Sequence, residues 1–298
     1  MFYRKGALVR EFHMKRYRVL NIDFDTRASV LSLEIQDAWE QPVRDAHRKS
    51  KEDVVEELLA EFGRANGEGK IRNYLELGSK PFSIVAFHNK FLEQVRQSFV
   101  LGSYYPALTG ACALGERVLN HLILRLRDSF KATPEYKRVY RKDSFDNWDV
   151  PITALEAWGV LLPNVVTNYR RLKDLRNKTI HFDPATDEND RPLALEAIHA
   201  LTKIVAEQFS GFGNQPWFIP NTQGTSFLKK EAEEQPFLKH IYIPNCALVG
   251  PYHTLEVVPE VDRIRVVVRD DYAYEDKEIT DEEFAGLFNN RGAQARAV

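Results

Sequence analysis

Apolar residues recur at helical spacing through the middle of this 298-residue chain, and this periodicity constrains the fold more than any other feature of the sequence. Four stripes, which begin at Ile84, Leu108, Val165 and Leu195, repeat every three or four positions, as on one buried face of a helix. They predict helices over roughly 84–101, 104–130, 163–181 and 195–210. The middle of the chain is therefore predicted to be an all-helical bundle.

The two ends of the chain carry a different pattern, in which apolar and polar residues alternate. Residues 20–24 and 31–35 alternate on either side of a turn-like segment, which predicts a β hairpin. A helix is predicted to follow, with Ser50 as its N-cap. Residues 240–249 and 255–268 are rich in β-branched side chains, which predicts two further strands.

These patterns predict an α+β protein in which a central all-helical domain is flanked by β-rich N- and C-terminal segments. The N-terminal segment covers residues 1–80 with a hairpin and a helix, and the helical domain covers residues 81–211. The C-terminal β-rich segment covers residues 212–298. It is a candidate to fold together with the N-terminus, with the helical domain inserted between them.

Composition excludes several classes of protein. Apolar residues make up 44% and charged residues 28%, as in an ordinary globular protein. No apolar run approaches the roughly 18 residues of a membrane helix, and the first residues lack the apolar core of a secretory signal. Cys112 and Cys246 are too few for a disulfide framework, and neither belongs to a C-x-x-C pair. We therefore expect a cytoplasmic protein with no membrane partner.

The net charge of −2 conceals an uneven distribution of charge. Residues 117–142 contain eight basic side chains against two acidic ones, and residues 170–178 contain five against one. Residues 270–283 contain eight acidic side chains against one lysine. A polyanion such as RNA is therefore a candidate partner for the middle of the chain, and solvated helix faces are the alternative explanation.

No motif for a cofactor or a metal ion stands out. The glycine-containing segment 66–70 lacks the spacing of a phosphate-binding P-loop. Asp23 and Asp25 have no histidine or cysteine nearby at ligand spacing. The sequence therefore predicts neither a cofactor nor a metal site.

The strongest chemical signal is Arg176-Asn177-Lys178-Thr179-Ile180-His181, at the end of the third predicted helix. A histidine moves protons near neutral pH, and an arginine offers forked donors to phosphate oxygens. Asn177 and His181 are four positions apart and share a helix face, and the long side chain of Arg176 reaches the same cleft. These groups suit RNA cleavage. The alternative is a solvated helix end, where a histidine interacts favourably with the helix dipole.

The residues around this motif resemble the HEPN (higher eukaryotes and prokaryotes nucleotide-binding) family, whose all-helical modules cleave or bind RNA. The resemblance covers about residues 82–209, under half of the chain. It rests on 98–107 with the small residues and Glu116 that follow, and on 169–182. The R-N-x-x-x-H pattern in the second stretch is similar to the preferred form of the family's R-x(4–6)-H motif. The β-rich flanks have no such likeness.

The resemblance implies that Arg176 and His181 are catalytic, that Asn177 supports them, and that Glu116 matches an acid that some members place near the site. For Glu116, a structural salt bridge is the alternative. The resemblance also implies a homodimer through the helical domain, in which two copies of the motif line one cleft. It suggests a toxin or anti-phage effector that is held by a regulatory partner or an antitoxin.

We therefore expect an endoribonuclease that needs no metal ion. Without a metal to activate water, the nearest nucleophile on RNA is its own 2′-hydroxyl. The residues predicted to bind RNA are Arg170, Arg171, Lys173 and Lys178. Two alternatives stay open: a HEPN-like module that binds RNA, a nucleotide or a partner protein without cleaving, and a structural regulator of a separate nucleotidyltransferase.

Overall fold

A computed structural model describes residues 14–20, 23–84, 86–180, 184–259 and 264–291. Helix accounts for 60% and strand for 10%, so the chain is an α+β protein. Its described residues separate into two compact units. Those within 21–211 form the helical unit, and those within 1–20 and 212–298 form the terminal unit. Residues 21–80 thus cluster with the helical middle of the chain.

The elements up to residue 211, in chain order, are β1 (Arg16–Val19), β2 (Asp23–Asp25), α1 (Arg27–Ser32), α2 (Gln41–Phe62), α3 (Gly67–Leu77), β3 (Lys80–Ser83), α4 (Ala86–Val100), α5 (Tyr104–Leu126), α6 (Tyr136–Val139), α7 (Asp149–Ala157), α8 (Pro163–Ile180) and α9 (Pro184–Gln208). They are followed by β4 (Cys246–Val249), β5 (Thr254–Pro259), β6 (Ile264–Arg269) and α10 (Asp281–Asn289). The four helices predicted from the apolar stripes are present as α4, α5, α8 and α9. None of the described helices combines the length and the apolar content needed to cross a membrane.

Helix α5 is the centre of the helical unit and packs against α4, α8 and α9. Its apolar stripe, including Leu108 and Leu119, is fully buried. Gly115 lies where α5 meets α8, and a Cβ atom at this position would collide with the side chain of Leu172. The missing side chain therefore allows the two helices to approach closely, which brings the last turn of α8 beside α5.

Residues 27–35 do not form the second strand of the predicted hairpin. Asp25 Oδ1 instead accepts a hydrogen bond from the backbone N–H of Arg27 at 3.0 Å, and α1 begins at Arg27. Strand β2 pairs antiparallel with the distant strand β3, with Asp25 opposite Lys80. The prediction was wrong because local hydrogen bonding by an Asp side chain outweighs a short alternating pattern.

Ser50 is not an N-cap, because α2 begins nine residues earlier at Gln41. Residues 41–53 contain few apolar side chains, so no stripe marks this part of the helix. Exposed ion pairs at helical spacing support it instead, such as Arg48 with Asp45 at 2.7 Å. No apolar stripe in the sequence predicts α3 or α7, which are short helices of eleven and nine residues.

In the terminal unit, β1 pairs antiparallel with β4, and β5 pairs with β6 in a hairpin. The core of this unit is a cluster of apolar residues that includes Phe227, Phe284 and Phe288. Helix α10 begins with a capping box, in which Thr280 Oγ1 accepts from the Glu283 N–H at 3.1 Å and the Thr280 N–H donates to the Glu283 carboxylate at 2.8 Å.

Only the end of the predicted strand over 240–249 is extended. Residues 238–242 form a π-helical turn and residues 243–245 form a 3-10 turn, so the strand begins at Cys246. Pro244 has no N–H to donate to a strand partner, which favours the turn over the strand at this point.

Candidate active site

Helix α8 positions the predicted R-N-x-x-x-H motif. The stripe of this helix that includes Tyr169, Leu172 and Leu175 is buried, and the helix packs against α5, α7 and α9. Arg176 follows this stripe directly and lies in the last turn of α8. It lines a cleft that α8 forms with α5.

The cleft has a volume of about 560 Å³, which falls within the range of ligand pockets. Helix α5 supplies most of its wall through two adjacent rows of side chains with a spacing of four residues. The loop before α7 and the last turn of α8 supply the rest. The lining residues are Thr109, Cys112, Ala113, Glu116, Arg117, Asn120, His121 and Leu124 of α5, Asp143 and Ser144 of the loop, and Arg176 and Thr179 of α8.

The guanidinium of Arg176 makes only long contacts on the wall of the cleft. Its Nη2 lies 3.6 Å from Oε2 of Glu116, and its Nη1 donates to Oδ1 of Asn177 at 3.3 Å. Its Nε is buried and has no hydrogen-bond partner. Because the side chain is 19% exposed, donors of Arg176 are available to an oxyanion that enters the cleft.

Glu116 is held in place by a residue that the sequence analysis missed. The indole Nε1 of Trp148 donates to Oε2 of Glu116 at 3.0 Å, and Trp148 is buried. The segment around Trp148 carries no periodicity that could have marked this contact. Glu116 forms an ion pair with Arg176, as its structural alternative predicts, and it also lines the cleft.

Asn120 ties the loop before α7 to α5. Its Oδ1 accepts from the Phe145 backbone N–H at 2.9 Å, and its Nδ2 donates to the Glu116 carbonyl oxygen at 2.9 Å. Both the hydrogen-bond donor and the acceptor of this amide therefore serve the structure. The contact holds the Asp143–Ser144 side of the cleft in place.

Cys112 also lines the cleft, but it does not supply a thiolate. Burial raises the pKa of its thiol to about 12, although the nearby Arg176 acts in the opposite direction. The thiol is therefore protonated at neutral pH and is a poor nucleophile. This agrees with its position on the apolar face of α5.

The second row on α5 contains Arg117 and His121, which the sequence analysis did not select. They are four residues apart and lie on one face of the helix, and the Arg117 guanidinium lies 5.2 Å from the centre of the Phe91 ring. Burial, and then the charges of Arg117 and Arg125, lower the pKa of the half-buried His121. The spacing from Arg117 to His121 on a predicted helix was the signal that could have found this residue.

The structure brings Arg176, Asn177 and Glu116 together. Asn177 is exposed and contacts the catalytic arginine candidate through its side-chain oxygen. His181, the other predicted catalytic residue, lies outside the described residues. The predicted proximity of the imidazole of His181 to Arg176 therefore stays a prediction.

Three of the four predicted RNA-binding side chains form ion pairs. Those pairs join Arg170 to Glu156 at 2.7 Å, Arg171 to Glu196 at 2.9 Å and Lys173 to Asp149 at 2.8 Å, and Lys178 is exposed. The carboxylates reduce the positive field that the sequence predicts along α8. These ion pairs could not be predicted from the sequence because the carboxylates belong to other helices, α7 and α9.

These four basic residues do not share one face of α8. In a helix that turns about 100° per residue, Lys173 projects about 60° and Arg170 about 120° away from Arg176. Both lie on the same side of Arg176 as Asn177. Both form ion pairs with carboxylates of α7, Arg170 with Glu156 and Lys173 with Asp149. Arg171 and Lys178 project to the opposite side. Of these four side chains, Lys173 and Arg170 therefore project closest in direction to Arg176.

No three His, Cys, Asp or Glu side chains lie close enough together to hold a metal ion in the part of the chain that the structure describes. The cleft contains two carboxylates. Glu116 contacts Trp148 and Arg176, and Asp143 lies 3.8 Å from Arg127.

Comparison with protein-family models, curated proteins and solved structures finds no match for this chain.

Proposed function

We propose that this protein is a metal-independent endoribonuclease of the HEPN type and that the cleft between α5 and α8 is its active site. The observation that carries the proposal is that the Arg176 guanidinium is accessible and weakly held. Its guanidinium is partly exposed in a concave site, makes only contacts of 3.3 Å and 3.6 Å, and has an unpartnered Nε. Arg170, Arg171 and Lys173 instead each have a carboxylate partner at 2.7–2.9 Å. An arginine with spare donors suits a phosphoryl group.

The proposed reaction is an attack by the RNA 2′-oxygen on the adjacent phosphorus. A bond forms between phosphorus and the 2′-oxygen, and the bond between phosphorus and the 5′-oxygen breaks. The products are a 2′,3′-cyclic phosphate and a 5′-hydroxyl. Arg176 stabilises the charge that builds on the non-bridging oxygens, and His181 transfers a proton. DNA lacks the 2′-hydroxyl and is not a substrate.

Glu116 and Asn177 act as positioning residues for Arg176. Glu116 is fixed by Trp148 and attracts the guanidinium from 3.6 Å, while Asn177 accepts from Nη1 at 3.3 Å. Neither contact is short enough to hold the guanidinium firmly. A phosphate oxygen at ordinary hydrogen-bond distance therefore competes well for the same donors.

RNA reaches the cleft by replacing the carboxylate partners of Lys173 and Arg170. Ion pairs between exposed side chains contribute only about 0–1 kcal/mol, so a phosphate can displace the carboxylate at little cost. Single-stranded or looped RNA is the proposed target, because in-line attack needs a backbone that is free of the A-form helix.

The proposal includes assembly and biological setting. We expect a homodimer, or a higher even oligomer, through the helices that carry Arg176 and Glu116, since a two-fold axis doubles the catalytic groups without new sequence. We expect a toxin or anti-phage role with a regulatory partner or antitoxin. Sedimentation at assay concentrations tests the first expectation, and a strictly monomeric, active enzyme would contradict it.

The test of function is incubation of the purified protein with single-stranded RNA in EDTA. The expected products are fragments ending in a 2′,3′-cyclic phosphate and a 5′-hydroxyl, and Arg176→Ala abolishes their formation. Arg48→Ala is the matched control, because it removes an exposed arginine on α2 that pairs with Asp45. Replacement of the 2′-hydroxyl by hydrogen at a mapped cut site should stop cleavage at that bond. Continued cutting there, or a strict need for magnesium, would overturn the mechanism.

A binding module that does not cleave is the alternative. It would bind RNA with a salt-dependent affinity that Arg176→Ala weakens, and the wild-type protein would yield no fragments at any pH. A structural regulator would show neither cleavage nor binding of RNA. The cleavage assay together with a measurement of RNA affinity therefore separates the three functions.

A further inference from the structure

His121 lines the cleft but has no part in the reaction as written above. It lies on α5 five residues after Glu116 and four after Arg117, on the row of side chains next to the one that contains Glu116. The cleft thus carries a phosphate-binding candidate on α8 and an imidazole on α5. Of the lining residues that the structure describes, His121 is the one imidazole.

We propose that His121 is a proton-transfer residue of this cleft and accepts the proton of the RNA 2′-hydroxyl while Arg176 binds the phosphate. This inference rests on the proposed endoribonuclease function and adds a catalytic residue to it. His181 then serves as the acid that protonates the leaving 5′-oxygen.

The step balances in protons and electrons. The 2′-hydroxyl proton passes to the neutral His121 imidazole as the 2′-oxygen bonds to phosphorus. The electron pair of the broken bond stays on the 5′-oxygen, which takes a proton from the His181 imidazolium. The enzyme ends with His121 protonated and His181 neutral, and exchange with water restores the starting state. No oxidant, reductant or metal ion takes part.

The charges around His121 suit a base. Arg117 and Arg125 flank it on α5, and Arg176 of α8 lies in the same cleft, as do the carboxylates of Glu116 and Asp143. Burial and the two flanking arginines lower the pKa of the imidazole, so His121 is neutral at pH 7 and can accept a proton. The flanking cations also attract the phosphates of RNA.

The experiment compares kcat/KM for RNA cleavage as a function of pH in the wild-type enzyme and in His121→Gln. The wild-type rate should rise with pH on the acid side of the profile, as the base loses its proton. His121→Gln should lower the rate by about 100-fold or more and remove that rise. His240→Gln, which changes an exposed histidine of the terminal unit, should leave the rate and the profile unchanged.

A rescue experiment separates proton transfer from structure. His121→Ala leaves space at the cleft wall, and added imidazole should restore part of its cleavage rate. Circular dichroism checks that the variants fold. A variant that folds, is impaired and gains nothing from imidazole would overturn the proposal.

The outcomes distinguish this inference from the proposed function. If His121→Gln cleaves at the wild-type rate with the wild-type pH profile while Arg176→Ala is inactive, His121 has no catalytic role and the endoribonuclease stands. If the wild-type protein does not cleave RNA at any pH, both proposals fall together.

Discussion

The Trp148 indole N–H and the Arg176 guanidinium converge on one atom, Oε2 of Glu116, at 3.0 Å and 3.6 Å. The indole can only donate, and Trp148 is 1% exposed, so its contact is the fixed member of the pair. The position of Arg176 therefore depends on a tryptophan that does not itself line the cleft.

Trp148→Phe should weaken both the fold and the activity. The phenyl ring keeps much of the packing but lacks the N–H, and the loss of a hydrogen bond to a charged group costs about 1.5–3 kcal/mol. Urea unfolding measures the stability, and the RNA assay measures cleavage, which should fall several-fold because Glu116 is no longer anchored. Trp158→Phe is the matched control, since it removes an indole bond of 2.8 Å to Thr133 away from the cleft and should leave cleavage by the folded enzyme unchanged.

Asp149→Asn should strengthen RNA binding. It releases Lys173, which lies on the Arg176 side of α8, so that one more cation can contact phosphate. The plot of log affinity against log salt should become steeper by about 0.7 for single-stranded RNA. Glu196→Gln releases Arg171 on the opposite side and serves as the control. Equal gains for both variants would show that RNA does not follow the proposed face.

Arg176→Lys should not restore the activity lost in Arg176→Ala. Lysine keeps the charge but loses the planar fork that binds two phosphoryl oxygens, so we expect a rate at least about 100-fold below wild type. The measurement is single-turnover cleavage with saturating enzyme, which removes the effect of weaker binding. A lysine variant that cleaves at nearly the wild-type rate would mean that Arg176 supplies charge alone.

The ionisation of Asp25 should make the stability of the helical unit depend on pH, with a loss of stability at acidic pH. Burial opposes ionisation of this carboxyl, but hydrogen bonds from Arg27 and from the Tyr74 hydroxyl outweigh it and hold the pKa at about 2. A pKa below the ordinary value stabilises the folded protein above about pH 4, and this stabilisation is lost as the pH falls from about 4 to 2.

Asp25→Asn should therefore lower the unfolding free energy by about 2 kcal/mol at pH 6 and by much less at pH 2. Tyr74→Phe removes one donor, at 2.7 Å from Oδ2, and should give a smaller difference with the same direction. Denaturant unfolding at several pH values measures both effects. A difference for Asp25→Asn that is constant with pH would contradict the assignment.

Periodicity predicted the part of the fold in which apolar stripes are long. Helices α4, α5, α8 and α9 each bury a continuous stripe, so their sequences alone indicate their type. The hairpin at residues 20–35 was wrong because Asp25 binds the N–H of Arg27 and begins a helix, which is a local contact that alternation does not reveal. The first half of α2 escaped prediction because charged pairs rather than an apolar face support it.

The candidate site also contains residues that the sequence selected and residues that it did not. The R-N-x-x-x-H pattern selected Arg176 and Asn177, the family resemblance selected Glu116, and the structure brings these three side chains together. Trp148 and the carboxylates of Asp149 and Glu156 were missed, because they reach the site through tertiary packing of α7. No pattern within one helix could show that Glu156 would neutralise Arg170.

The glycine at position 115 makes the site sensitive to volume as well as to chemistry. A single methyl group there would strike Leu172, which lies one turn before Arg176 on α8. The close approach of α5 and α8 beside Glu116 therefore depends on the lack of a side chain at this position. A larger residue at this position would force the Leu172 side chain or α8 to move while leaving every polar side chain of the cleft in the sequence, so a comparison of functional side chains alone would not detect the change.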